Sequence, residues 1–134
     1  MIFVVGRING RTLGRWSLRL DAIYCTLLGA GVALSAARLA EVLAIPAAVI
    51  AAAGVTVVLW ACVVLWMLAK LRMRTALRLV LGVNIVAALL VAACAAAAAT
   101  LLAVVAVLAI AVDIAIFAAS QALALRTLPP SLAV

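Results

Sequence analysis

Between Leu79 and Leu125 the chain runs for 47 residues with a single charge, Asp113. As one helix that stretch would be about 70 Å long, more than twice the hydrocarbon thickness of a bilayer, so it must reverse. Alanine-rich sequence marks a turn poorly; Ala95 to Leu101 is the expected reversal, with Thr100 placed to cap the helix that follows. Two further apolar runs precede it. Ala22 to Ala37 holds 16 uncharged residues, and Leu20 with the long side chains of Arg19 and Arg38 can bring it to spanning length. Val42 to Ala69 holds 28, with Pro46 where a first helical turn tolerates proline and with Trp60 and Trp66 toward its far end.

The expectation is therefore an all-α membrane protein of four antiparallel transmembrane helices, spanning about 20–38, 45–69, 77–96 and 101–125. A basic juxtamembrane segment, 1–19, precedes them and a short tail, 127–134, follows. Seventy-three per cent of the residues are hydrophobic, far above a soluble domain, so lipid is the expected solvent. The net charge of +7 comes from arginines that flank the apolar runs, where anionic headgroups are nearer than any nucleic acid. The expected headgroup contacts are Arg7, Arg11, Arg15, Arg19, Lys70, Arg72, Arg74 and Arg78. With Arg126 these make nine cations on one side against Arg38 on the other, which predicts both termini and the 70–78 loop in the cytoplasm. The Ala, Val, Leu and Arg bias, with one lysine, points to a high-GC bacterium and hence to its cytoplasmic membrane.

Within the first 19 residues, Gly6-Arg7, Gly10-Arg11 and Gly14-Arg15 recur every fourth residue and Arg19 follows. Such spacing aligns the arginines on one helical face, while three glycines oppose a helix in water. Two readings stand: a helix lying on the membrane with Ile8, Leu13, Trp16 and Leu18 toward the acyl chains, and a flexible basic tail that sets topology. A basic stretch, a short apolar run and Ala33-Leu34-Ser35-Ala36 also outline a signal peptide, but nothing downstream reads as an exported soluble domain.

Asp113 is the one acid expected inside the membrane, and it falls near the midplane of the fourth span. A central Asp costs about 2.5 to 3.5 kcal/mol on insertion, against about 0.3 to 0.6 returned by each Leu, Ile, Phe or Val. Thirteen such residues between Leu101 and Leu125 outweigh it. It is the candidate proton-binding or partner-binding site, the alternative being a hydrogen-bonded lock between helices. Its stripe, Ala106, Ala109, Phe117 and Ser120, is the face expected to turn inward. On the third span Asn84 shares a stripe with Ala88, Val91 and Ala95, and its depth makes Ser120 and Gln121 its expected polar partners. Small residues also line the first span (Cys25, Gly29, Ala33, Ala36) and the second (Ala47, Ala51, Gly54, Ala61), as packing seams do.

No enzyme, cofactor or metal site is expected: the chain has no histidine, no paired carboxylates and no phosphate loop, and Cys25, Cys62 and Cys94 lack metal-ligand spacing. Arg19-Leu20-Asp21-Ala22, Gly29, Leu43 to Pro46 and Leu79 to Asn84 together resemble a group of uncharacterised small four-helix integral membrane proteins of high-GC bacteria. That resemblance implies the four-helix layout and no activity. Small multidrug-resistance transporters share the size, but their glutamate lies in the first helix, where this chain has none. The leading expectation is a non-enzymatic membrane subunit or accessory protein bound to another membrane protein and to anionic lipid. The alternative is a small proton-coupled transporter that acts as a homo-oligomer around Asp113.

Overall fold

In a computed structural model, which describes residues 9–98 and 100–130, the described chain is entirely helical outside its turns. It has five helices: α1 (Gly10–Leu34), α2 (Ala36–Leu43), α3 (Ala47–Lys70), α4 (Met73–Ala95) and α5 (Leu101–Thr127). All but α2 are long and apolar enough to cross a membrane, which makes this a membrane protein by length and composition. Large apolar side chains face outward along every long helix, Leu27, Leu59, Leu89 and Leu102 among them. A soluble fold would bury such residues; in lipid their exposure costs nothing.

The first helix differs most from the sequence expectation. It begins at Gly10, where the Asn9 side chain caps the Arg11 amide, and runs unbroken through Arg19 into the apolar stretch. The basic residues from Arg11 onward therefore belong to the same helix as the first span, neither lying flat as a separate element nor trailing as a tail. Leu18, expected to face acyl chains, is fully buried, and Leu13 packs on the core, while Trp16 stays exposed with Arg19 stacked over its ring. Arg7 and Ile8 lie outside the described residues.

The four-residue glycine spacing has a packing cause. A Cβ on Gly10 would come within 2.5 Å of the Leu128 backbone nitrogen, and one on Gly14 within 2.9 Å of a Leu77 methyl. The two glycines form the inward stripe of α1, and Arg11 and Arg15, one residue on, face out. These contacts set the start of α1 beside the end of α5 and the start of α4. Arg11, Arg15, Arg72, Arg74, Arg78 and Arg126 consequently gather at one end of the bundle. Arg74 there donates to the Pro129 carbonyl at 3.2 Å, tying the chain's end to α4.

Farther along, α1 crosses α3 through a pair of glycines. A Cβ on either Gly29 or Gly54 would lie 2.5 Å from the other's carbonyl oxygen, so the backbones touch. Beyond that crossing α1 ends at Ser35, and α2 carries Arg38 and Glu41 at the opposite end of the bundle. Ala44, in the left-handed region at φ 54°, stops α2, and Pro46 precedes α3. Only Leu71 and Arg72 separate α3 from α4, and at the next reversal α4 ends at Ala95 and Thr100 caps α5, its side chain accepting from the Ala103 amide at 3.1 Å. Helices pair mainly as α1 with α3 and α4 with α5, and α1 joins the two pairs by packing on α5.

Gly54→Ala should destabilise the protein by about 1 to 3 kcal/mol, the range for overpacking a close contact. Gly82→Ala, whose added Cβ meets nothing within 4 Å, should be neutral or stabilising by up to about 1 kcal/mol, since it removes glycine from a helix interior. Unfolding of the two purified variants in the same detergent, compared with the parent, measures both.

Candidate functional site

Among the described residues, the side chains that hydrogen-bond one another across helices lie along one seam, where α1 meets α5 and, at one level, α4. On α1 the contributors are Ser17, Asp21, Tyr24 and Cys25, spaced as one helical stripe; on α5 they are Asp113, Ser120 and Gln121. Thr26 and Thr56 stay out of it by returning their hydroxyls to the carbonyls of Ala22 and Ala52.

At the centre of the seam is Asp21, 2 % exposed, with Asn84 of α4 and Gln121 of α5 equally enclosed. Asn84 Nδ2 donates to Asp21 Oδ2 at 2.6 Å and to Gln121 Oε1 at 3.2 Å, and Gln121 Nε2 donates to the same carboxyl oxygen at 2.9 Å. Cys25 Sγ, one turn along α1, donates to Oδ1 at 3.5 Å. The carboxyl group thus acts purely as an acceptor, and three helices close one ring of hydrogen bonds around it.

Sequence reasoning missed Asp21. It read the residue as the boundary of the first apolar run and looked to Asp113 for an interior acid; Asp21 is instead enclosed between α1, α4 and α5, one residue from the midpoint of α1. A usable signal existed: Asp21 stands four residues after Ser17 and four before Cys25, a polar stripe along one helical face.

Asn84 does meet Gln121, but as part of the ring that Asp21 organises rather than as a clamp between α4 and α5 alone. Ser120 makes no bond to Asn84. Its hydroxyl donates to the Phe117 carbonyl at 2.8 Å, leaving its oxygen to accept from Ser17 Oγ at 2.6 Å. Side-chain direction explains how Asp21 reaches Gln121 although Gln121 is the immediate neighbour of Ser120. Cα–Cβ bonds lean toward the N-terminus of each helix, so side chains on α1 and on α5 slope toward one another where the two chains pass in opposite senses.

Asp113, the sequence's principal candidate, sits at the far end of the seam. Tyr24 donates to its Oδ2 at 3.0 Å, and the Tyr24 ring packs on Phe117 with centroids 5.5 Å apart. The expected inward face of α5 is corrected: Ala106 and Ala109 are exposed and Asp113, Phe117 and Ser120 only half-buried, whereas Ala111, Ala118, Gln121 and Ala124 are the buried residues. The inner face follows Gln121, whose amide needs the Asp21 ring, and this turns Asp113 to the edge of the α1–α5 contact.

The remaining candidates are positional. Arg11, Arg15, Arg19, Lys70, Arg72 and Arg78 are exposed and Arg74 is half-buried. Among the described residues no group of three His, Cys, Asp or Glu side chains is placed to hold a metal ion. Cys62 and Cys94 face outward. No family model, no curated protein and no solved structure matches the chain.

Asp21→Ala should cost about 2 to 3 kcal/mol, because two buried amide groups lose the acceptor they share. Asp21→Asn should cost less than half as much, since its carbonyl oxygen still accepts from both. Denaturation of the three proteins in a common detergent tests the order, and equal losses for Ala and Asn would refute the ring as a source of stability.

Proposed function

We propose that the chain is a multi-pass protein of a bacterial cytoplasmic membrane, with four antiparallel spans and both termini in the cytoplasm. In this reading it is a non-enzymatic subunit or accessory protein. The observation that carries it is the way the interior polar groups are used. Ser17, Asp21, Asn84 and Gln121, each no more than 5 % exposed, are bonded to other side chains across helices. Groups so engaged hold helices together, and a substrate would have to break them.

The gathering of arginines at one end supports the orientation through the positive-inside rule, and their exposure supports contact with anionic headgroups. The outward small residues and apolar side chains of the long helices suit a neighbouring membrane protein. Two residues from the stretches that carry the resemblance to small membrane proteins of high-GC bacteria, Asp21 and Asn84, are bonded to each other here.

One observation favours a second reading, a proton-coupled transporter acting as a homo-oligomer. Asp113 is a half-buried acid near the middle of α5 that accepts a hydrogen bond from Tyr24 through one carboxyl oxygen and keeps the other free of side-chain bonds among the described residues. In that case Asp113→Asn abolishes transport in a folded protein.

The deciding measurement is the mass and composition of the complex released by gentle extraction from the native membrane. A second membrane protein in fixed stoichiometry is the expected result. A homo-oligomer alone would overturn the subunit reading and leave the transporter.

A further inference from the structure

Four polar residues of the seam, Ser17, Asp21, Asn84 and Gln121, are buried, and its second carboxyl group, Asp113, is not. It is half-buried at the edge of the α1–α5 contact, and among the described residues Tyr24 is its one hydrogen-bond partner, bonded through Oδ2. A carboxyl group at this level of a span is among the costliest groups to leave facing hydrocarbon. Beside it, one and two turns back along α5, are Ala109 and Ala106, both exposed. Alanines at that spacing let a second helix approach closely enough for its side chain to reach the acid.

We infer that the Asp113 edge of α5 is a docking surface for a transmembrane helix of a different protein, one that carries a lysine or arginine at the depth of Asp113. The inference rests on the subunit reading and names the chemistry of the partner. Charge selects the occupant. Most cations of this chain in the described residues lie near helix ends: Arg11 and Arg15 at the start of α1, Lys70 through Arg78 around the α3–α4 turn, Arg126 at the end of α5 and Arg38 in α2; Arg19 lies deeper in α1, but five residues before the Tyr24 that bonds Asp113. Among the described residues, a second copy in the same orientation brings no cation level with Asp113, Arg19 lying five residues, about 7.5 Å of helix rise, short of Tyr24. A foreign helix with a central cation offers a charge-assisted bond to Oδ1 while Tyr24 keeps Oδ2. The cation finds in the same contact a partner it too lacks in lipid.

The test places the full chain in lipid nanodiscs with a synthetic leucine–alanine helix of about 20 residues that carries one central lysine, and reads association by energy transfer between fluorophores. Binding should weaken by about tenfold or more when the lysine is replaced by leucine, and by a similar factor in Asp113→Asn. Ala109→Leu, which keeps the acid and adds bulk on an exposed position, should weaken it as well. In Asp113→Lys, a probe with a central aspartate should bind in place of the lysine probe. Equal binding of lysine and leucine probes to the parent chain would overturn the inference, as would self-association that excludes the lysine probe. Either result, obtained beside a native complex that contains a second membrane protein, would remove this surface while the subunit reading stands.

Discussion

The carboxyl group of Asp21 is the point on which the bundle depends. In hydrocarbon there is no water to take up an unpaired polar group, and helices gain little from hiding apolar faces that lipid solvates equally well. Close packing and interhelical hydrogen bonds must supply the order. Here one acceptor draws Asn84 from α4 and Gln121 from α5 onto α1, and the second hydrogen of Asn84 closes the ring on Gln121. Since α1 also touches α3 backbone to backbone at Gly29 and Gly54, it is the element through which the two helix pairs are joined.

The two devices do different work. Glycine contacts permit proximity but say little about rotation or register, because apolar surfaces slide with little change in energy. The amide and carboxyl groups fix register, since a one-residue slip would strip the donors of their acceptor. Their separation along α1, with Gly10 and Gly14 before Asp21 and Gly29 after it, clamps the helix at both ends and indexes it in the middle. The cost is that a carboxyl group must be buried between helices, and the chain meets it by surrounding Asp21 with neutral donors.

Four long apolar helices could be read directly from hydropathy, because spanning length and lack of charge are properties of contiguous sequence. The turns between them were readable where polar residues mark them, as at Lys70 to Arg72 and at Thr100. What escaped is what depends on distance in the chain. Asp21 lies two residues after Arg19, so it looks like the mouth of a span; its burial follows only from contacts with Asn84 and Gln121, 63 and 100 residues away along the chain. The inward face of α5 was equally hidden. Its apolar residues are spread over every face, so amphipathicity carries no direction, and the stripe through Asp113 reads as the inner face although Gln121 sets it.

That competition between Asp113 and Gln121 explains why α5 cannot bury every polar group it carries. The two are eight residues apart, a little over two turns, so they share a side of the helix but not its centre line. Turning α5 to centre Gln121 on the Asp21 ring satisfies two amide donors and closes the core around Ala118 and Ala124; turning it to centre Asp113 would satisfy one carboxyl group and break the ring. More bonds are made the first way, and Tyr24 is long enough to reach the displaced acid from α1. The exposure of Asp113 is then a consequence of how the core is fixed, and a residue left at the edge for that reason stays available to whatever packs there.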